Sequence, residues 1–202
     1  MVRNAVIALL VAFGLMLSVS SADAATASYT VKSGDTLWKI ASKNKIGLTE
    51  LIKANPTLKN PDRINVGQKL VIPSNSTADT HEAKVIKLTN AERTKAGLKP
   101  YTTNWELSRV ARYKSKDMMT NKYFSHTSPT YGSPFQMMKS FGITYKAAGE
   151  NIAMGQRTPE EVVKSWMNSS GHRANILSKS FKEIGVGYEA KGNYWTQQFI
   201  AR

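Results

Sequence analysis

Three histidines occur among 202 residues, at positions 81, 126 and 172. Two of them stand in short polar runs that could do chemistry, Ser125-His126-Thr127-Ser128-Pro129 and Gly171-His172-Arg173-Ala174-Asn175. A third run, Gly149-Glu150-Asn151-Ile152, places a carboxylate between them, 24 residues after His126 and 22 before His172. That spacing puts the three side chains on separate elements. Brought together, two imidazoles and a carboxylate could ligate zinc with a fourth position open, or activate a water for hydrolysis. His126, Glu150 and His172 are therefore the catalytic candidates, and His126 and His172 the metal-ligand candidates. Each has a structural rival. His172 also reads as a helix-start histidine bonded locally, and Glu150 as a carboxylate that braces a loop through backbone amides.

Other catalytic patterns fail. His81-Glu82 begins like a zinc-protease HExxH, but Val85 holds the fifth position, so His81 reads as a surface residue. No G-x-S-x-G elbow is present, and the chain has no cysteine for a disulfide or a thiolate metal site.

The elements that must position these runs follow from periodicity. A helix from about His81 to Lys95 carries Val85, Ile86, Leu88 and Ala91. Asn104 caps another, with Leu107, Val110, Ala111, Lys114 and Met118 at helical spacing. Ser133-Pro134 and the capping box Thr158-Pro159-Glu160-Glu161 open further helices, the second turning Val162, Val163 and Trp166 inward. Ile184, Val186 and Tyr188 alternate, Lys191-Gly192-Asn193 turns the chain, and Tyr194 to Ala201 returns as a strand. Helices followed by a hairpin predict an α+β fold.

The start of the chain suggests export. Arg3, the apolar run Ala5 to Val19 and Ala22-Asp23-Ala24 read as a signal peptide over residues 1–24. The run falls short of the ~20 residues of a membrane span, and no transmembrane segment is expected. Lys and Arg number 28 against 14 Asp and Glu, a net charge of +14. Such a surplus predicts anionic partners, and export disfavours nucleic acid among them. Anionic cell-wall polymers fit best. The polar stretch at residues 74–80 reads as a linker between basic blocks, with eight Lys/Arg against three Asp/Glu from Tyr29 to Pro73.

The first block reads β-α-α-β: a strand at Tyr29 to Val31, a helix capped by Asp35 or Thr36, a second capped by Thr49 and stopped at Asn55-Pro56, and a strand at Lys69 to Ile72. With YTVKSGDTLWKIA, ANP and INVGQKLVIP in order, residues 28–73 resemble a LysM domain along its whole length. The resemblance implies binding of N-acetylglucosamine polymers such as peptidoglycan. It sets the groove between Gly34, Asp35, Thr36 and Leu37 on one loop and Pro61, Asp62, Arg63 and Ile64 on the other. Asp35 and Thr36 read equally as a helix cap, and Trp38 as a stacking ring or a packing residue.

Residues 81–202 resemble a CAP domain, the superfamily of cysteine-rich secretory, antigen 5 and pathogenesis-related proteins. The matching features are Asn90-x-x-Arg93, FSHTSP, AGENIA, EVVKSWMNSSGHRANIL and GVGYEAKGNYWTQQF. The resemblance implies a three-layer α-β-α sandwich whose cleft holds two histidines and two glutamates. His126, Glu150 and His172 match three of these. The second glutamate is absent, because the chain reads Trp166-Met167-Asn168-Ser169, and Thr89 stands where many relatives carry histidine. The implied cofactor is at most a weakly held zinc on His126 and His172.

Together these readings predict a secreted protein held at the cell wall or spore envelope, with peptidoglycan as partner and lipid or envelope protein as further candidates. A metal-assisted hydrolase and a spore-coat or envelope assembly component are the competing functions.

Overall fold

The computed structural model of the chain describes residues 27–73 and 78–202. The signal peptide read at residues 1–24 lies outside the described residues. No described helix is long and apolar enough to cross a membrane.

The N-terminal block is β1 (Ala27–Thr30), α1 (Leu37–Lys43), α2 (Leu48–Ala54) and β2 (Lys69–Ile72). β1 and β2 pair antiparallel, Ala27 opposite Ile72. Val31, Leu37, Ile40, Ala41, Ile46, Leu51, Leu70 and Ile72 form its own core. Thr36, not Asp35, caps α1, its hydroxyl accepting from the Lys39 amide. α2 begins two residues earlier than Thr49 would set it, with Gly47 at the cap. The ANP run has a clear physical task. Buried Asn55 donates to the carbonyls of Leu51 and Val71 and accepts from the Val71 amide, each at 2.8 Å. One side chain thus ends α2 and stitches it to β2.

The second block contains α3 (Ala78–Lys95), β3 (Thr102–Thr103), α4 (Trp105–Thr120), α5 (Pro134–Ser140), β4 (Ala147–Met154), α6 (Pro159–Asn168), α7 (Ser170–Ile176), β5 (Glu183–Glu189) and β6 (Tyr194–Ala201). α3 reaches back to Ala78, so part of the stretch read as linker is helical. Residues 74–77 lie outside the described residues. The sheet order is β3-β5-β6-β4, antiparallel except for the short β3 beside β5. Helices α3, α6 and α7 cover one face and α4 and α5 the other, giving the expected α-β-α sandwich.

Two caps differ in kind from their reading. Ser133 forms the full capping box, with Gln136 reaching back to its amide. Thr158 caps α6, but Glu161 bonds the Arg157 amide instead of the cap's own. β4 and the two-residue β3 are strands that periodicity missed; the longer, β4, matters for the site. It enters between the helices and pairs along its whole length with β6.

The alternation in β5 explains how the layers close. Ile184 and Val186 face the apolar core under α3 and α6. Gly185 and Gly187 face α4 so closely that a Cβ on Gly187 would lie 2.1 Å from the Ala111 carbonyl carbon, and one on Gly185 2.3 Å from that of Leu107. The helix backbone rests on the strand backbone, and only glycine permits it. Gly187→Ala should therefore destabilise the protein by about 3 kcal/mol or more in urea unfolding. Gly171→Ala, whose added methyl meets nothing within 4 Å, should leave stability nearly unchanged.

Candidate functional site

Glu150 lies on the edge strand β4, directly opposite Gln198 of β6. Neighbouring residues of a strand point to opposite faces, so Glu150 and Gln198 share the α4 face while Asn151 and Gln197 share the other. Gly149 before it has no room for a side chain, since a Cβ there would meet the Phe181 ring at 2.9 Å and Asn175 Oδ1 at 3.1 Å. The Glu150 side chain is 1% exposed. A buried carboxylate must be hydrogen-bonded or paired, and both of its oxygens are engaged. Oε1 accepts from His126 Nδ1 at 2.9 Å and Oε2 from Gln198 Nε2 at 3.1 Å. Because a carboxylate only accepts, His126 donates through Nδ1, and Nε2 is the ring nitrogen outside that bond, on a side chain 51% exposed.

His126 arrives on the loop after α4, held there by buried polar groups. Lys114, fully buried on α4, donates from Nζ to the His126 carbonyl at 2.8 Å and to the Tyr123 hydroxyl at 3.2 Å. Tyr123 donates to Asp117 at 2.5 Å. Asp117 also accepts from Asn121, Ser128 and Thr130. Burial pushes the Asp117 carboxyl upward, but these four hydrogen bonds outweigh it and hold it below the usual range. Burial lowers the Lys114 pKa, opposed by the charges of Glu150 and Asp117. Gln198 Oε1 is buried with no hydrogen-bond partner among the described residues.

His172 comes from the opposite layer, in the first turn of α7, so it is both a helix-start residue and part of this edge. A chain of amides fixes it. Thr89 accepts from Gln197, Gln197 accepts from Asn151, and Asn151 accepts from Asn175. Asn151 also donates to the His172 carbonyl, and Asn175 to the Glu150 carbonyl. Burial lowers the pKa of His172, and the nearby His126 lowers it further. The structure thus brings His126, Glu150 and His172 to one rim of the sheet, the loop from one layer meeting α7 from the other.

Other polar residues are structural. Asn90 exchanges hydrogen bonds with the Tyr101 backbone, and buried Arg93 donates to the carbonyls of Lys99, Ile176 and Ser178. His81 is not merely a surface residue, since it stacks on Tyr188 at 4.9 Å. Glu82 is buried against Arg112.

Zinc fits this site poorly. Among the described residues no group of three or more His, Cys, Asp or Glu side chains is placed to hold a metal ion. The one carboxylate at the rim spends both oxygens on His126 and Gln198. Two imidazoles remain, and the buried Lys114 is bonded to the backbone carbonyl of His126.

On the LysM side, the two loops adjoin a common core, with Leu37 inside it and Ile64 packed against it. Gly34, Thr36, Pro61, Asp62 and Arg63 are exposed. Asp35 accepts from the Tyr29 hydroxyl and the Lys32 amide, both at 2.8 Å, and Leu37 is buried, so any ligand contact from Leu37 is made by its backbone. Trp38 is 65% exposed.

The family comparison agrees with this geometry. The family model described as the cysteine-rich secretory protein family, CAP, matches residues 86–199, and the LysM domain model matches residues 29–73. The chain belongs to the CAP family. It is 64% identical over 127 residues to the uncharacterized protein YkwD of Bacillus subtilis (strain 168), a match covering 63% of this chain and 49% of that protein. It is similar in structure to an extracellular protein containing an SCP domain from Bacillus anthracis, with a TM-score of 0.60 and 31% identity, over 67% of this chain and 47% of that one. The LysM block resembles the endolysin of Bacillus phage PZA, 42% identical over 65 residues, or 32% of this chain and 25% of that protein. The chain spans under half the length of each of these relatives.

Lys114 and Gln198 are the site residues that motif reading passed over. The available signal was a lysine at a core position of an apolar helix face, because a buried cation demands anionic or carbonyl partners.

The His172 shift gives a direct check on convergence. Its pKa lies below the ordinary 6.5, so the fold disfavours the charged ring, and the associated stability is present above pH 6.5 and lost as pH falls through the depressed value. In an NMR titration His172 should have its midpoint below 6.5, and His126→Ala should raise that midpoint part of the way. An unchanged midpoint in the variant would separate the two rings.

Proposed function

We propose that the chain is an exported, wall-associated protein whose LysM domain holds N-acetylglucosamine-containing glycan and whose CAP cleft is thereby presented at the wall. The observation that carries the reading is the complete LysM match at residues 29–73, with its two expected loops exposed beside one core. The similarity of this block to a phage endolysin and the likeness of the CAP block to an extracellular SCP protein support it. The net charge of +14 adds a long-range attraction to anionic wall polymers, with which lipid and envelope-protein partners are compatible.

Charge and sugar recognition separate cleanly on a neutral polymer. The full chain should co-sediment with insoluble chitin at 0.5 M salt, where surface electrostatics are screened, and soluble N-acetylglucosamine oligomers should release it. The exposed double change Asp62→Ala/Arg63→Ala should weaken retention several-fold. Retention on wall polymers at low salt with none on chitin would reduce the LysM reading to charge alone.

A second reading rests on the 2.9 Å contact between His126 and Glu150. A buried carboxylate orienting a half-exposed imidazole with a free Nε2 is the arrangement of a general base that takes a proton from water. On this reading peptidoglycan incubated with the protein releases new reducing ends or amines. His126→Ala should then lower the rate by about 100-fold or more. Equal release by wild type and variant would leave the site a binding cleft.

A further inference from the structure

The rim that carries His126, Glu150 and His172 already contains a positive charge that no family motif assigns. Lys114 is 1% exposed and is fixed by two oxygens, the His126 carbonyl and the Tyr123 hydroxyl. It lies in the field of two buried carboxylates, Glu150 and Asp117. Asp117 is saturated by four neutral donors. Glu150 is met by one imidazole N–H and one amide N–H, and the Lys114 ammonium lies within reach of its charge.

We propose that the Lys114 ammonium is the resident cation of this cleft, holding the His126 loop in place and excluding a divalent metal from the His126–His172 pair. Three features argue for it together. No second carboxylate joins Glu150 from the run Trp166-Met167-Asn168-Ser169, so a further two positive charges would fall to Glu150 and Asp117, which already offset Lys114. The carboxylate that is present cannot turn toward a metal without breaking its bonds to His126 and Gln198. A dication beside the two rings would add to a positive charge that cannot move away, because Lys114 is enclosed and bonded to the same loop that carries His126. The loop geometry and the charge balance come from one side chain. The inference concerns the cleft and is independent of glycan binding by the LysM domain.

The test uses the full chain at pH 7.5, titrated with zinc chloride by calorimetry while the His126 and His172 ring signals are followed by NMR. Wild type should show no zinc site dependent on His126 tighter than about 1 μM. Lys114→Met, close in length and uncharged, should bind zinc at least tenfold more tightly than wild type, with both imidazole signals moving. Lys114→Arg, which keeps the charge, should behave as wild type. A wild-type site tighter than that limit and abolished by His126→Ala overturns the proposal, as does a folded Lys114→Met with no gain in affinity. Should near-UV circular dichroism show Lys114→Met unfolded, Lys114→Gln takes its place, and a folded Lys114→Gln with no gain in zinc affinity overturns the proposal.

Discussion

A carboxylate buried in the edge strand of a sheet is the constraint around which the CAP block is arranged. Taking Glu150 out of water costs several kcal/mol unless its charge is met, and hydrogen bonds to a charged group return about 1.5–3 kcal/mol each. Meeting that charge requires His126 from a loop beyond α4, Gln198 from β6 and the field of Lys114 from α4. Those partners can be in place only if α4 lies close against the sheet. The glycine pair in β5 makes that approach possible, so the packing of helix on strand and the electrostatics of the rim depend on each other.

The other side of β4 follows the same logic with neutral groups. Asn151, Gln197 and Thr89 are fully buried and bonded in series, and half-exposed Asn175 joins them from α7. The Thr89 hydroxyl closes the chain by accepting from Gln197. A buried amide network of this kind fixes direction as well as distance. It sets the start of α7, and with it His172, against the strand that carries Glu150. The two faces of one edge strand thus govern the two histidines separately.

Much of this was legible as motifs and little of it as geometry. The helix caps at Asn104 and Thr158, the β5–β6 hairpin and the whole LysM order could be read from spacing, because apolar periodicity and capping residues act locally. Strand β4 could not. AAGENIAM places glycine, glutamate and asparagine in the interior of a buried strand, and their burial is licensed only by partners on α4, α7 and β6, far away in sequence. Lys114 was visible at a core position of its helix, yet periodicity treats it as one more inward residue and is silent about its charge. The convergence of His126 with His172 is likewise a product of the sheet edge, where opposite layers meet.

The same bookkeeping separates what the charges do. Among the described residues the buried charged side chains are Glu82, Arg93, Lys114, Asp117 and Glu150, so the interior is close to balanced and slightly acidic. The surplus that makes the chain +14 is therefore carried by the surface, on both blocks. Surface charge acts at a distance and is weakened by salt, whereas the interior charges are enclosed and screened far less. Attraction to an anionic polymer and chemistry at the rim are consequently independent properties of one molecule. The first belongs to many exchangeable lysines, and the second to a single enclosed one whose position is fixed by the loop it holds.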